Sequence, residues 1–194
     1  MSRRQSSIPA RYFDDLYAGE RDPWEFETSA YEQAKYDATL AALARPWYRR
    51  GLEIGCSIGV LTVRLASRCA SLVAVDVSEK ALDAARVRCW TLPNVAFENM
   101  SVPAEWPAGT FDLIMLSEVV YYLDAGDVSR LAERVRASVE PGGHVLLVHW
   151  TGTTDYPLSG DDAAELFMTA LGRSARRIRQ QRTPAYRLDA LALP

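Results

Sequence analysis

The sequence predicts one α/β domain built around a mostly parallel sheet. From Gly51 onward, short apolar runs typical of strands alternate with segments typical of helices, an order that parallel α/β folds produce. Most of these runs are almost continuously apolar, as expected of strands that helices cover on both faces. The 194 residues, 48% of them hydrophobic, are enough for a single core without disulfide or metal support.

The predicted elements divide this domain into a helical lead-in, residues 1–46, and a core, residues 47–194. The lead-in starts with a polar, frayed segment, Met1 to Ser7, and ends in a helix from Tyr36 to Ala44 that Pro46 stops. Core helices are predicted near residues 59–68, 79–89 (after an N-cap at Ser78), 127–139 and 161–171. The seven predicted strands are Leu52–Ile54, Leu72–Val75, Val95–Phe97, Phe111–Leu116, His144–His149 and the antiparallel hairpin of residues 173–182 and 185–192.

Charge and cysteine content narrow the function classes. A net charge of -3 argues against a protein whose affinity depends on neutralising phosphates, so no nucleic-acid partner is expected. Three cysteines without C-x-x-C spacing and only two histidines give no sign of a disulfide framework or a zinc site. The sequence has neither an export signal nor an apolar run of ~20 residues. We therefore expect a cytoplasmic protein that is neither exported nor membrane-spanning and that holds no metal.

A glycine-containing turn follows the first predicted strand. The segment Leu52-Glu53-Ile54-Gly55-Cys56-Ser57-Ile58-Gly59 joins that strand to a helix, where glycines let the backbone turn tightly and approach a ligand. A second carboxylate, Asp76, ends the next strand about 20 residues later, where doubly wound folds carry the acid that binds ribose hydroxyls. The sequence therefore predicts a nucleoside site at the carboxyl ends of these strands.

The spacing of the glycines distinguishes between nucleotides. A dinucleotide fingerprint requires glycine where this chain has Ser57 and Val60, and no phosphate-loop Gly-Lys-Ser/Thr occurs, so NAD and FAD are disfavoured. The remaining pattern, an acid followed by a relaxed G-x-G-x-G, resembles motif I of class I S-adenosylmethionine (SAM) methyltransferases. Phe111-Asp112-Leu113-Ile114 and Pro141-Gly142-Gly143 follow in that family's order. The resemblance implies a Rossmann-like class I fold, SAM as methyl donor and S-adenosylhomocysteine (SAH) as product.

The same resemblance implies the donor-binding residues. Glu53 is placed to attract the ammonium of the donor's methionine half, directly or through water. Ser57 departs from the family pattern by replacing the middle glycine, and Met100 stands where many relatives carry an acid near the adenine. Recognition there is expected to use the Ser101 backbone and apolar packing, with Asn99 as a possible substitute. The full predicted donor-binding set is Tyr12, Trp24, Glu53, Gly55, Ser57, Gly59, Asp76, Val77, Met100, Ser101, Ser117 and Tyr121.

Segments outside the glycine turn narrow the resemblance. They are Tyr12-Phe13-Asp14-Asp15-Leu16-Tyr17, Asp22-Pro23-Trp24, Tyr31-Glu32-Gln33-Ala34-Lys35-Tyr36 and Ser117-Glu118-Val119-Val120-Tyr121-Tyr122-Leu123. Together they are similar to the nodulation protein S (NodS) family. This resemblance implies SAM-dependent N-methylation of the terminal glucosamine of a chitooligosaccharide, after its acetyl group is removed, in Nod factor biosynthesis. The lead-in aromatic residues then form a lid over the donor or, alternatively, part of the core.

Residues that directly follow the strands are the candidates for handling the substrate. Methyl transfer from an activated donor needs an aligned nucleophile, and an amine must lose its proton before it attacks. His149, whose ordinary pKa is about 6.5, and Glu118 are predicted to receive or orient that proton. Tyr122 is the third catalytic candidate, through its aromatic face. A loop contact for His149 and a structural role for Glu118 are the alternatives.

Two other functions fit the same motifs. One is a SAM-dependent methyltransferase of another small metabolite, and the other is a SAM-binding partner subunit without catalysis. In each case we expect a monomer or weak homo-oligomer. The arginines of residues 173–182 suit either an anion-binding site or, more simply, a solvated strand face.

Overall fold

Six helices and seven strands make up the described part of the chain, residues 3–173 and 175–194 of a computed structural model. The lead-in forms helices α1 (Ala10–Gly19) and α2 (Ala30–Ala41). The strands are β1 (Tyr48–Ile54), β2 (Cys69–Asp76), β3 (Val95–Asn99), β4 (Phe111–Ser117), β5 (Val139–Trp150), β6 (Arg176–Arg182) and β7 (Tyr186–Ala192). The remaining helices are α3 (Val60–Ala66), α4 (Glu79–Arg88), α5 (Ala125–Ser138) and α6 (Gly160–Leu171), and a 3₁₀ turn covers Val120–Tyr122.

All seven strands form one sheet in the order β3-β2-β1-β4-β5-β7-β6. The first five strands pair in parallel, whereas β7 lies antiparallel between β5 and β6. The carboxyl ends of β1, β2, β4 and β5 therefore meet at one edge of the sheet. This topology confirms the predicted α/β fold with a C-terminal antiparallel hairpin.

Both faces of the sheet are covered by helices, as the continuous apolar runs predict. Alternate residues of a strand point to opposite faces. In β4, Ile114 packs into a core shared with α5 and α6, whereas Leu113 and Met115 pack into a second core shared with α2 and α3. Burial of both faces explains why all seven β4 residues are buried. No helix among the described residues is long and apolar enough to cross a membrane.

The two largest differences between predicted and observed element boundaries concern α2 and β5. Helix α2 starts at Ala30 rather than Tyr36, because the Ser29 hydroxyl accepts a hydrogen bond from Glu32 N–H and caps the helix. Strand β5 starts at Val139 rather than His144, with an irregular register where Pro141-Gly142-Gly143 passes the neighbouring strand. Such bulges were not signalled by the apolar run alone.

Ser78 lies at the predicted N-cap position of α4, but its hydroxyl does not cap the helix. It donates instead to the Asp14 carboxylate on α1 at 2.8 Å. The described part of the polar start is also bound rather than frayed. Arg4 N–H donates to Asp155 O at 2.9 Å and Ile8 N–H to Tyr122 O at 2.8 Å. Residues 3–8 therefore run as a strap across the carboxyl side of the sheet.

The arginines of the hairpin lie on β6, the outermost strand. Arg182 pairs with Asp161 on α6, Arg177 pairs with Asp189 on β7, and Arg179 donates to a backbone carbonyl at the end of α2. All three are exposed. They match the solvated strand face rather than an anion-binding site. Residue 174, within the predicted strand 173–182, lies outside the described residues.

Candidate active site

A cavity of about 400 Å³ lies at the edge where the parallel strands end. Its floor comes from the carboxyl ends of β1, β2 and β4 and from the turns that follow them. The lead-in supplies much of the opposite wall, which includes Phe13, Tyr17, Trp24 and Phe26. This is the end of an open α/β sheet where ligands bind, and the volume is within the range of small-molecule sites.

The glycine turn after β1 forms one side of the cavity. Gly55 has a φ of +81°, and a Cβ there would lie 2.1 Å from the Val119 side chain, so only glycine fits. Gly59 has a φ of +80° and starts α3, where a Cβ would lie 3.1 Å from Ala85 on α4. Gly55 lines the cavity but Gly59 does not. Gly59 therefore serves the close packing of α3 on α4, and its contact with a donor stays a prediction.

Ser57 occupies a backbone conformation that ordinarily favours glycine. Its φ is +50°, in the left-handed region. Two contacts hold it there: its N–H donates to the Asp76 carboxylate at 2.8 Å, and its hydroxyl forms a hydrogen bond with the Tyr17 hydroxyl. The serine at this position is therefore tolerated because β2 and α1 both bind it.

Glu53 lies at the end of β1, in the cavity wall, and is 1% exposed. Its Oε2 atom has no hydrogen-bond partner among the described residues. Burial raises the pKa of Glu53 to about 8, although the nearby Thr62 hydroxyl opposes the shift. A buried carboxyl oxygen without a partner is costly, and a ligand that donates to it would remove that cost.

Asp76 ends β2 and also lines the cavity. One carboxylate oxygen accepts from Ser57 N–H at 2.8 Å and the other from Ser78 N–H at 3.0 Å. Burial raises the pKa of Asp76, while these backbone hydrogen bonds act against the shift. A carboxylate offers about four lone-pair sites, so Asp76 can hold the glycine turn and still accept from ligand hydroxyls.

The segment after β3 lacks the acid that the family pattern places near an adenine. Met100 and Ser101 line the cavity. The Ser101 N–H, however, donates to the Glu105 carboxylate at 2.7 Å. Asn99 donates through its side-chain amide to Asp76 O at 3.1 Å and Val77 O at 3.0 Å. Asn99 therefore supports the strand end, and apolar contact with Met100 is the feature left for recognising a flat ring.

The far side of the cavity contains a buried lysine between two carboxylates, a group that the sequence analysis did not identify. Lys35 on α2 donates to Glu32 Oε1 at 2.9 Å and to Glu118 Oε1 at 2.5 Å. Its side chain is only 2% exposed. All three residues line the cavity. We call Glu32, Lys35 and Glu118 the amine-side cluster.

Glu118 follows β4 with a φ of +63° and accepts three hydrogen bonds. Besides Lys35, the Tyr121 hydroxyl donates to its Oε2 at 2.7 Å and Trp150 N–H donates at 2.8 Å. Burial alone would raise the pKa of Glu118, but the Lys35 ammonium and these donors more than offset it, so the pKa is lowered. Glu118 is thus a firmly held anion that joins α2, β4 and β5.

Glu32 could have been found from the Ser29-x-x-Glu32 spacing, which is typical of a capping box at a helix start. That pattern predicts the start of α2 correctly. It also predicts that the Glu32 carboxylate turns back toward the helix start, whereas the structure directs Oε1 to Lys35. The signal therefore locates the helix but not the function of its acid.

Aromatic rings form the outer part of the cavity on the β4 and β5 side. Tyr121 stacks on Tyr156 with ring centroids 5.5 Å apart, and Tyr122 contacts Phe13 edge to face at 4.9 Å. Trp150 also lines the cavity and is 38% exposed. These rings offer flat, partly exposed surfaces next to the amine-side cluster.

His149 lies in the neighbouring layer rather than in the cavity wall. It is fully buried, its Nε2 accepts from Val120 N–H at 3.2 Å, and the Tyr121 ring lies 5.3 Å away. Burial lowers the pKa of His149 to about 4 despite the nearby Glu118. The imidazole holds the 3₁₀ turn that carries Tyr121, in line with the predicted alternative of a loop contact, and a proton-accepting role for His149 stays a prediction.

The structure brings most of the predicted site residues together. The predicted residues that line the cavity are Trp24, Glu53, Gly55, Ser57, Asp76, Val77, Met100, Ser101, Ser117, Glu118, Tyr121 and Tyr122. Tyr12 lies outside the lining, beside Phe13 and beneath the Arg4 guanidinium. The predicted contact of Tyr12 with the donor stays a prediction.

The sheet order and the cavity at its carboxyl edge define the class I SAM-dependent methyltransferase fold. The chain superposes on the N-methyltransferase NodS of Bradyrhizobium japonicum WM9 in complex with SAH with a TM-score of 0.81 and 23% identity, over 95% of this chain and 98% of that chain. A candidate methyltransferase from Pseudomonas syringae gives a TM-score of 0.73 and 36% identity, over 84% and 99% of the two chains.

The family model for nodulation protein S matches residues 14–141, and the chain belongs to the NodS family. Nodulation protein S of Bradyrhizobium diazoefficiens (USDA 110) is 35% identical over 103 residues, which are 53% of this chain and 49% of that protein. Nodulation protein S of Rhizobium tropici is 30% identical over 127 residues, 64% of this chain and 53% of that protein. The chain thus matches about half the length of these curated relatives.

Proposed function

We propose that this protein is a SAM-dependent N-methyltransferase that methylates the free amine of the terminal glucosamine of a deacetylated chitooligosaccharide. One observation carries the proposal: two strand-end carboxylates that form no ion pair with a described residue line the same cavity as the amine-side cluster. The first pair, Glu53 and Asp76, suits a donor, and the cluster suits an amine. Membership of the NodS family supports the choice of acceptor.

The residues of the cavity fit SAM. Glu53 Oε2 is a buried acceptor without a partner, as the ammonium of the methionine half requires. Asp76 retains lone pairs for ribose hydroxyls, and Met100 offers an apolar contact for the adenine. When bound, SAM supplies a methyl group already activated on a sulfonium.

The chain itself aligns the acceptor and excludes water. Tyr17, Trp24 and Phe26 close the donor side, and the strap of residues 3–8 places Ile8 in the same wall. The lead-in thus acts as a lid on the core. Trp150, exposed at the outer part of the cavity, provides a flat surface on which a sugar ring can lie. The amine-side cluster behind Trp150 has two carboxylates for one ammonium, and this excess of negative charge attracts the amine.

The proposal is tested by methyl transfer from labelled SAM to matched chitooligosaccharides. We expect labelling of the oligosaccharide whose terminal residue is deacetylated and none of the fully acetylated one, because an amide nitrogen is a poor nucleophile. Equal labelling of both, or labelling of neither, would overturn the proposed acceptor. Calorimetric binding of SAH in the same preparation separates a wrong acceptor from an inactive protein.

A second candidate is N-methylation of an aromatic or heteroaromatic metabolite. The aromatic rings of Tyr122, Trp150 and Tyr156 favour it, since they would pack equally well on a flat acceptor. A panel of amines in the same assay distinguishes the two. Transfer to heteroaromatic amines but not to the deacetylated oligosaccharide would select this candidate.

A further inference from the structure

The two carboxylates of the amine-side cluster are not equivalent. Glu118 accepts from Lys35 through one oxygen and from the Tyr121 hydroxyl and Trp150 N–H through the other. Its oxygens are therefore occupied by donors from three elements. A carboxylate held in this way is stabilised as an anion and is a poor acceptor for a further proton.

Glu32 has one oxygen that no neighbour uses. Lys35 binds Oε1 at 2.9 Å, whereas Oε2 has no hydrogen-bond partner among the described residues. The Glu32 side chain is 9% exposed, and the residue lines the cavity. Burial raises its pKa, and the Lys35 ammonium only partly offsets the shift. Buried acceptors are normally satisfied, so the free oxygen points to a donor that arrives with the substrate.

We propose that Glu32 accepts the proton of the substrate ammonium, and that Lys35 and Glu118 are positioning residues that hold its carboxylate. The inference rests on the proposed amine methylation and names the residue that prepares the amine for it. Lys35 fixes Glu32 Oε1, and Glu118 fixes Lys35 against β4 and β5. Glu32 lines the cavity, and Oε2 is the carboxylate oxygen that no described residue occupies.

The step balances in atoms and charge. An N–H bond of the substrate ammonium breaks, its proton passes to Glu32 Oε2, and the electron pair remains on nitrogen. The neutral amine then forms the N–C bond as the S–C bond breaks, with that electron pair going to sulfur. The product leaves as a methylammonium, and Glu32 returns its proton to water.

The pH dependence has a defined sign. The titratable and charged groups that face Glu32 are Tyr31, Lys35 and Tyr36 on α2, Glu118 after β4, and Asp22 before α2. Protonated Glu32 cannot accept a proton, so kcat/KM falls as the pH drops through its raised pKa. A variant without this carboxylate loses that acid limb and keeps only the dependence of the substrate amine.

The test compares Glu32→Gln with Glu20→Gln. The first substitution keeps an oxygen for Lys35 and replaces the proton acceptor with an amide, and the second changes an exposed glutamate at the end of α1 in the same way. We expect Glu32→Gln to lower kcat/KM for the deacetylated oligosaccharide by about 100-fold or more, with SAH affinity unchanged. In the presence of SAH, it should also bind the deacetylated and acetylated oligosaccharides alike, whereas Glu20→Gln should behave as the wild type.

The outcomes separate this inference from the proposed function. If the wild type methylates the amine and Glu32→Gln does so at the same rate with the same acid limb, Glu32 is not the acceptor. If the wild type itself transfers no methyl group to the amine while binding SAH, the proposed function fails and the inference fails with it. Partial rescue by Glu32→Asp, with a shifted acid limb, would support a carboxylate role, and a variant that loses SAH affinity as well would indicate a merely structural one.

Discussion

The two ends of the cavity use carboxylates in opposite ways. On the donor side, neither Glu53 nor Asp76 forms an ion pair with a described residue. Asp76 accepts hydrogen bonds from two backbone N–H groups, and Glu53 Oε2 has no hydrogen-bond partner among those residues. Glu32 and Glu118, on the amine side, share the buried ammonium of Lys35. The amine side therefore has a cation of its own, Lys35, whereas no described residue supplies a cation to the carboxylates of the donor side.

This difference indicates which ligand charge each side of the cavity is suited to bind. A buried carboxyl group without a cation has a raised pKa and is stabilised when a cationic ligand binds. Glu53, with a pKa of about 8, is such a group. The amine side carries two carboxylates for one lysine. Glu118 is held as an anion, and Glu32 Oε2 is the carboxylate oxygen left for the substrate. Three substitutions test this contrast.

Removing the internal cation should give the largest effect. Lys35→Met leaves both Glu32 and Glu118 buried without their cation, and loss of one member of a buried ion pair costs about 3–5 kcal/mol of unfolding free energy. Lys80→Met on α4 is the matched control, because Lys80 is exposed. Urea unfolding followed by circular dichroism measures the difference. Equal midpoints for the two variants would contradict the role of Lys35 in holding the two carboxylates.

Removing the strand-end acid should weaken donor binding by a smaller amount. Asp76→Ala deletes hydrogen bonds to a charged acceptor, so we expect SAH affinity to fall by about 1–3 kcal/mol in titration calorimetry. Part of that loss reflects the glycine turn, because Asp76 also binds Ser57 N–H. Asp83→Ala, on the exposed side of α4, is the control. Unchanged affinity in Asp76→Ala would mean that the donor lies elsewhere in the cavity.

The smallest effect is a pH dependence from Glu53. Its pKa is about 8 in the folded protein, against about 4.3 in an unfolded chain, so the folded state binds the proton more tightly. That contribution to stability is complete below about pH 4.3 and is lost as the pH rises through 8. Glu53→Gln does not titrate, so its stability relative to that of the wild type should increase steadily as the pH is raised from 5 to 9.

The same substitution should weaken SAH binding, because it removes the anion that the ligand ammonium needs. Glu133→Gln, on the exposed face of α5, should change neither Tm nor affinity. Parallel stability curves for wild type and Glu53→Gln between pH 5 and pH 9 would show that Glu53 is not held in its neutral form.

The donor side of the cavity was more fully predictable from the sequence than the amine side. Glu53 and Asp76 lie at the carboxyl ends of β1 and β2, and Gly55 lies in the turn after β1, all of them positions that local patterns mark. Glu118 was predicted by the same rule, but its partner Lys35 was not. Lys35 and Glu118 are far apart in sequence and meet only because α2 packs over the end of β4. His149 follows the same rule of strand ends as Glu118, but its ring turns away from the cavity. Side-chain direction at a strand end depends on packing that no local pattern encodes.

The fold was predictable because the central strands of the parallel sheet, above all β4, are buried on both faces and so leave continuous apolar runs. The prediction was wrong at helix starts, where a side-chain hydrogen bond rather than an apolar run determines the structure. The Ser29 hydroxyl starts α2 early, and the Ser78 hydroxyl binds α1 instead of capping α4. Serine at either position is compatible with a helix cap, but the group that each hydroxyl binds depends on the tertiary structure.

The arginines of β6 have a further consequence for how the protein behaves at high concentration. An outermost strand presents unpaired N–H and C=O groups that another strand can join. On β6, Arg176, Arg179 and Arg182 are exposed along that margin. A second chain adding itself there would have to strip water from these guanidinium groups. The exposed arginines of β6 therefore disfavour edge-to-edge aggregation of the sheet, and this effect requires only charge along the strand and no bound ligand.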